Sequence, residues 1–105
     1  MFALYAATFN HSCRRDFAAA ISRSDALIAS ADEKGAQSWK AVGTALRGWL
    51  FAATGNASDA VRTVTTGITS LRAIGATLNE PWYLCALAIG YAELGQVADA
   101  WRCLD

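Results

Sequence analysis

A register of forty residues runs through this chain. Gly35-Ala36, Gly55 and Asp59-Ala60-Val61-Arg62 return forty positions later as Gly75-Ala76, Gly95 and Asp99-Ala100-Trp101-Arg102. Phe51 and Tyr91 keep the same offset, as do Ala52 and Ala92. A fixed period of this size marks a repeat architecture. Each unit is a supersecondary piece that buries its apolar face only by stacking on its neighbour. Arrays of this kind bind other macromolecules far more often than they perform chemistry.

The punctuation inside the register is helical. Glycines fall at 35, 55, 75 and 95, twenty residues apart. Glycine just past a helix end takes the left-handed conformation that caps it. Twenty residues between stops fit a helix of about four to five turns and a short connection. Alanine is abundant and Pro81 is the single proline, so few positions break a helix. The expected fold is all-α, one domain over residues 1–105, with six helices in three hairpins. The units run about 1–35, 36–75 and 76–105.

The helices are expected at about 2–12, 15–33, 37–54, 57–74, 79–94 and from about 97 to the end at Asp105. The second carries Phe17, Ala20, Ile21, Leu27 and Ile28 on one stripe, interrupted by Ser24. The third carries Trp39, Val42, Leu46, Trp49, Leu50 and Ala53 mostly at steps of three and four. The fourth carries Ala60, Val61, Val64, Ile68 and Leu71, with Ser58 or Asn56 as its cap. Asn79 is the candidate cap of the fifth, and Pro81 fits its first turn. Residues 61–69 are rich in β-branched side chains and by propensity alone read as a strand. The register decides for helix, because the counterpart Ala100-Trp101-Arg102-Cys103-Leu104 has no strand character. The sixth helix has about half the length of the fourth and ends without a polar cap, so a fragment of a longer array is expected.

Composition narrows the function classes. Charged residues make up 17% and hydrophobic ones 54% of the chain. An ordinary soluble domain is roughly 25% charged. That imbalance fits a chain part of whose surface is covered by a neighbour: more of its own polypeptide, a copy of itself, or a partner. Nine basic and nine acidic residues cancel, which argues against a nucleic-acid binder. Arg14-Arg15 is the one basic pair and reads as a solvated helix start. The longest apolar run, 81–92, is too short to span a membrane and lies between Glu80 and Glu93. The opening residues lack the basic segment and cleavage site of a signal peptide, so a cytoplasmic location is expected. Cys13, Cys85 and Cys103 are odd in number, have no metal-ligand spacing, and read as reduced, buried small hydrophobes.

Leu84, Leu87, Ala88, Tyr91, Gly95, Ala100 and Leu104 stand in the order of large, small and aromatic positions of a tetratricopeptide repeat, and the third unit resembles that repeat. Unit two matches through Gly48, Phe51, Gly55, Ala60 and Val64, with Arg47 where a leucine is expected. Its period is about six longer than the usual 34, and the extra length falls at residues 71–79. Arg47-Gly48-Trp49, Leu71-Arg72-Ala73-Ile74-Gly75-Ala76 and Pro81-Trp82-Tyr83-Leu84 together resemble the helical-repeat tail of large bacterial regulators. In those proteins a cyclase or DNA-binding output domain and a signalling ATPase precede such a tail. The resemblance implies a right-handed superhelix and a tail segment without the catalytic parts. The motifs are packing motifs and carry no site.

Chemistry has few candidates. His11 is the single histidine, so a Ser-His-Asp site or a histidine-centred metal site would have to use it, and a solvated or capping role at a helix end is the simpler reading. Gly43-x4-Gly48 has phosphate-loop spacing, but Trp49 stands where the lysine must be. Glu80, Glu93 and Asp99 are scattered. No catalytic residue, metal or cofactor is implied, and the chain is expected not to be an enzyme. The resemblance makes the first helix of each hairpin line the concave surface. By register Val42, Ala45, Trp49, Ala52 and Ala53 line it in unit two, and Trp82, Cys85, Ile89, Ala92 and Glu93 in unit three. Trp49 and Trp82 are candidate anchors for a bound peptide, or else pack between helices. Trp39 and Trp101 read as packing between repeats. The expected function is an interaction or regulatory segment with a protein or peptide partner. The alternative is a small-molecule sensor that uses the apolar concave face to gate an attached ATPase or cyclase. Exposed apolar ends, with Phe2, Leu4, Tyr5 and Phe9 at one and Trp101 and Leu104 at the other, make self-association expected.

Overall fold

A computed structural model describes residues 2–104 of the chain. It contains six α-helices: α1 (Phe2–Cys13), α2 (Phe17–Lys34), α3 (Gln37–Ala53), α4 (Ala57–Ala73), α5 (Glu80–Glu93) and α6 (Val97–Leu104). There is no strand among the described residues. The expected run of the sixth helix to Asp105 falls, at its last residue, outside the described part.

All four glycine stops fall where the register puts them, with φ of 66°, 83°, 74° and 79° at Gly35, Gly55, Gly75 and Gly95. At each, the next residue's N–H reaches back five positions. Ala36, Asn56, Ala76 and Gln96 donate to the carbonyls of Ala31, Phe51, Leu71 and Tyr91 at 2.8–2.9 Å. This bond satisfies a carbonyl that the helix itself leaves unpaired. A fifth stop of the same form lies twenty residues before Gly35. Arg15 has φ 60°, and Asp16 N donates to His11 O at 2.9 Å. The pair Arg14-Arg15 is therefore the turn between α1 and α2, not a helix start, and α2 begins at Phe17 behind an Asp16 cap whose carboxylate accepts from Ala19 N at 3.4 Å.

The stretch read two ways, 61–69, lies inside α4. Its exposed threonines turn their hydroxyls onto their own helix: Thr65, Thr66 and Thr69 donate to the carbonyls four residues back at 2.6, 3.0 and 2.9 Å. Such bonds cost little helix stability on a solvated face. The opposite face carries Ala60, Val64, Ile68 and Leu71, all buried. The caps differ from expectation. Asn56 and Asn79 hold the cap positions without side-chain cap bonds, and Asn56 Nδ2 instead donates to Thr54 Oγ1 at 3.1 Å.

The core runs along all three hairpins. Ala20, Ala60 and Ala100, forty apart, are 0%, 0% and 9% exposed. Phe51 and Tyr91 pack beside it, half-buried. Ser24 does not break the stripe of α2. It is fully buried within it, and its hydroxyl donates to Ile21 O at 2.8 Å, so no polar atom is stranded. Asp59 pairs with Arg62 at 2.7 Å, and Asp99 pairs with Arg102 in the same register.

Each helix packs on the next in sequence, joined by short turns that make neighbours antiparallel. In addition α1 touches α3 and α3 touches α5, whereas α2 and α4 do not touch, nor do α4 and α6. The first helices of the hairpins thus share one side. The register slips once. By offset α5 would start at 77, but a helix begun there would drive the ring of Pro81 against the carbonyl of Thr77. That carbonyl accepts from Glu80 N at 3.2 Å instead, and α5 starts at Glu80. Residues 74–79 become a longer connection, with Leu78 92% exposed. Arg72 and Glu80 brace its two ends through bonds of 2.6 and 3.1 Å.

Candidate binding face

The side shared by α1, α3 and α5 is built from aromatic rings. Along α1, Phe2, Tyr5 and Phe9 recur at three and four residues, which puts them on one helix face. Trp39 and Trp49 project from α3, and Trp82 from the first turn of α5. The rings form a continuous ribbon. Trp39 meets Tyr5 at 5.9 Å between centroids, Tyr5 meets Phe9 at 6.5 Å, Phe9 meets Trp82 at 5.8 Å, and Trp82 stacks on Trp49 at 4.8 Å with 24° between planes. Each such pair is worth about 0.5–1.5 kcal/mol beyond its buried area. Trp39, Trp49 and Trp82 are all half-buried, so the ribbon both welds three helices together and shows ring faces to solvent.

Of the residues placed on the concave face by sequence, Trp49 and Trp82 come together in this ribbon. Val42 is half-buried and lines a cavity beside it. Ala53 is exposed at its other flank, where a recess of about 410 Å³ opens between Phe9, Phe17, Trp49 and Trp82. Ala45 is not on the face. It is fully buried where α3 crosses α4, because Gly67 lets the two backbones close on each other there. Ala52 is buried as well. The α5 set divides. Cys85 and Glu93 are exposed, while Ile89 and Ala92 belong to a separate apolar patch with Val97, Trp101 and Leu104. Trp39 does pack between repeats, against Phe2 and Tyr5. Trp101 does not: it is 65% exposed, in the apolar patch with Ile89, Val97 and Leu104.

The cysteines also depart from expectation. Cys13 and Cys85 are exposed, one at the end of α1 and the other on the open side of α5, and only Cys103 is half-buried. Partial burial pushes the Cys103 thiol up. His11 sits half-buried in the last turn of α1, with Nδ1 3.7 Å from Asp16. Gly43 and Gly48 are interior positions of α3, set against Leu27 and Ile28 of α2 and against Val64 of α4, which accounts for both glycines by packing. Arg47 spreads its guanidinium over Phe51 at 4.3 Å and bonds Asp25 at 3.0 Å through Nε. Its buried Nη1 has no hydrogen-bond partner among the described residues.

Sequence reasoning missed the part α1 plays. Tyr5 and Phe9 read as one exposed end of an array, whereas they turn toward α3 and α5 and extend the ribbon. The signal was present as the spacing of Phe2, Tyr5 and Phe9, which matches a helix stripe. Among the described residues no group of three His, Cys, Asp or Glu side chains converges as a metal site would require, and no helix is long and apolar enough to cross a membrane. Compared with known proteins, the chain matches no family model, no curated protein and no solved structure.

Proposed function

We propose that this chain is a non-catalytic, tetratricopeptide-like module of a larger bacterial signalling protein, acting in the cytoplasm as an interaction and regulatory segment. The forty-residue register and the sharing of one side by α1, α3 and α5 support a right-handed superhelix whose inner surface those helices line. The observation that carries the reading is the half-exposed stack of Trp49 on Trp82, continued by Phe9 and Tyr5. Rigid aromatic surfaces held by a scaffold are the usual energetic centres of protein interfaces. The partner is a protein or peptide segment with apolar side chains to lay on these rings, and copies of the chain also associate through the bare patch on α5 and α6.

Selection of a displayed random peptide library on the intact chain tests this. Enriched peptides should share aliphatic or aromatic residues and should lose binding to Trp82→Ala while that variant keeps its helical circular dichroism. Absence of enrichment, or equal binding to Trp82→Ala, would refute the reading.

A further inference from the structure

A cavity of about 500 Å³, sharing no lining residue with the recess beside Trp49, opens between α1, α3 and the connection that precedes α5. Its volume is within the range of small-molecule sites. Three features set it apart. Two aromatic rings, Tyr5 and Trp39, join Val42 and Leu71 in an apolar wall, Thr77 and Asn79 add polar groups at the rim, and no charged residue lines it. Tyr83 lines it too. That side chain is 2% exposed, yet its hydroxyl makes no hydrogen bond among the described residues, and burial followed by the nearby Tyr5 pushes its pKa above the ordinary phenol value. Its oxygen keeps contact with solvent where the side chain lines the cavity, so an acceptor bound there would replace water as its partner. Finally, the cavity's remaining wall is the 74–79 connection, the one place where the array slips its register, and Leu78 stands there almost wholly bare. An exposed leucine beside an apolar opening has a nearby surface to cover.

We propose that this cavity binds an uncharged, flat, largely apolar small molecule whose carbonyl or similar oxygen accepts the Tyr83 hydroxyl proton. The body of the ligand lies against Trp39 and Tyr5. Leu78 closes over its outer edge. The lack of charge in the lining selects against ions, which would lose their hydration with no counter-charge in return. The Tyr83 hydroxyl supplies the selectivity, because a ligand that displaces its water without offering an acceptor leaves it unpaired. This site shares Tyr5 and Trp39 with the ribbon but is not lined by Trp49 or Trp82, and it does not depend on a peptide being bound on that stack.

Three probes of similar size separate the possibilities: acetophenone, with a carbonyl; ethylbenzene, without one; and benzoate, charged. They are titrated into the full chain and followed by amide and indole NMR shifts. Acetophenone should move the signals of residues 76–79 and the Trp39 indole. Loss of one neutral hydrogen bond weakens it about 3–10-fold in Tyr83→Phe. Ethylbenzene should bind Tyr83→Phe at least as tightly as the parent chain, and benzoate at least about tenfold more weakly than acetophenone, since it must shed its water. Leu78→Ala, a change at an exposed side chain that the fold does not use, should weaken acetophenone and ethylbenzene together. The proposal is overturned if acetophenone leaves these signals unmoved, binds Tyr83→Phe as tightly as the parent chain, or is matched by benzoate.

Discussion

Gly67 of α4 lies so close to Ala45 of α3 that a Cβ on the glycine would stand 2.7 Å from the Ala45 Cα and nitrogen. Nearby Gly48 of α3 meets Val64 of α4 in the same way, at 2.7 Å from the Val64 nitrogen. The central hairpin is therefore clamped backbone to backbone. In an open helix, Gly67→Ala would gain about 1 kcal/mol of helix propensity. Here the obstacle is backbone, which cannot move aside as a flexible side chain would. We predict a net loss of about 1–3 kcal/mol for Gly67→Ala by chemical denaturation. A stabilised variant would show that the two helices are not this close.

Ala60 makes the companion case on α4. It is fully buried, and Gly90 of α5 approaches it, with a Cβ placed on that glycine 3.6 Å from the alanine's own. Ala60→Leu should destabilise by about 1–3 kcal/mol through overpacking. A change within about 0.5 kcal/mol would place Ala60 at the surface.

Arg15 holds the left-handed position that glycine holds at 35, 55, 75 and 95. A side chain costs roughly 1–2 kcal/mol in that conformation. Arg15→Gly should leave stability unchanged or raise it by about 1 kcal/mol, while Gly35→Arg, placing the same side chain at φ 66°, should lower it by about 1–2 kcal/mol. Thermal denaturation of the two variants side by side reads the difference. A marked loss in Arg15→Gly would assign the arginine a contact stronger than its approach to the Phe17 ring at 6.0 Å.

Two groups give the stability profile a direction in pH. Hydrogen bonds from Arg72 hold the Glu80 carboxyl below the usual carboxylate range. A depressed folded value means that this contribution is present above the unfolded value of about 4.3 and disappears as the pH falls through the folded one. Glu80→Gln should therefore flatten the acid side of the profile, modestly, because the pair is exposed. Burial raises Tyr83, so its contribution is complete below about pH 10 and fades as the pH climbs beyond. Tyr83→Phe should flatten the alkaline side. Unchanged limbs in both variants would contradict these assignments.

Much of this fold was legible because glycine and alanine are read by backbone geometry. The four left-handed stops and the buried alanines at 60 and 100 follow from spacing alone. Arg15 was not legible as a stop, since nothing in an arginine announces a left-handed backbone. Ala45 was misplaced because a small residue on α3 suits an open face and a tight crossing equally well. Only Gly67, on another helix, decides between them. Cysteine as a residue type favours the interior, but the positions of Cys13 at a helix end and Cys85 on an unpartnered side decide for solvent. The candidate face was legible at Trp49 and Trp82 but not at Tyr5 and Phe9. Their part depends on how three helices converge, which no single stripe contains.

The bare patch on α5 and α6 carries its own expectation. Ile89, Val97, Trp101 and Leu104 are 50%, 57%, 65% and 55% exposed. A contiguous apolar surface of this kind drives association, most commonly as a symmetric pair. Sedimentation should show a concentration-dependent dimer or larger species, dispersed by Trp101→Glu. A monomer throughout the micromolar-to-millimolar range would remove the patch from the account.

The central claim is that binding resides on the Trp49–Trp82 stack and not on the other exposed apolar surface. The most direct measurement is fluorescence anisotropy of one labelled peptide, taken from the display selection, titrated with the parent chain, Trp82→Ala and Trp101→Ala. Loss of an aromatic anchor of an interface costs about 2 kcal/mol or more, so Kd should rise at least about tenfold for Trp82→Ala. It should stay within about twofold for Trp101→Ala. The reverse order, with binding lost at Trp101 and kept at Trp82, would contradict the account.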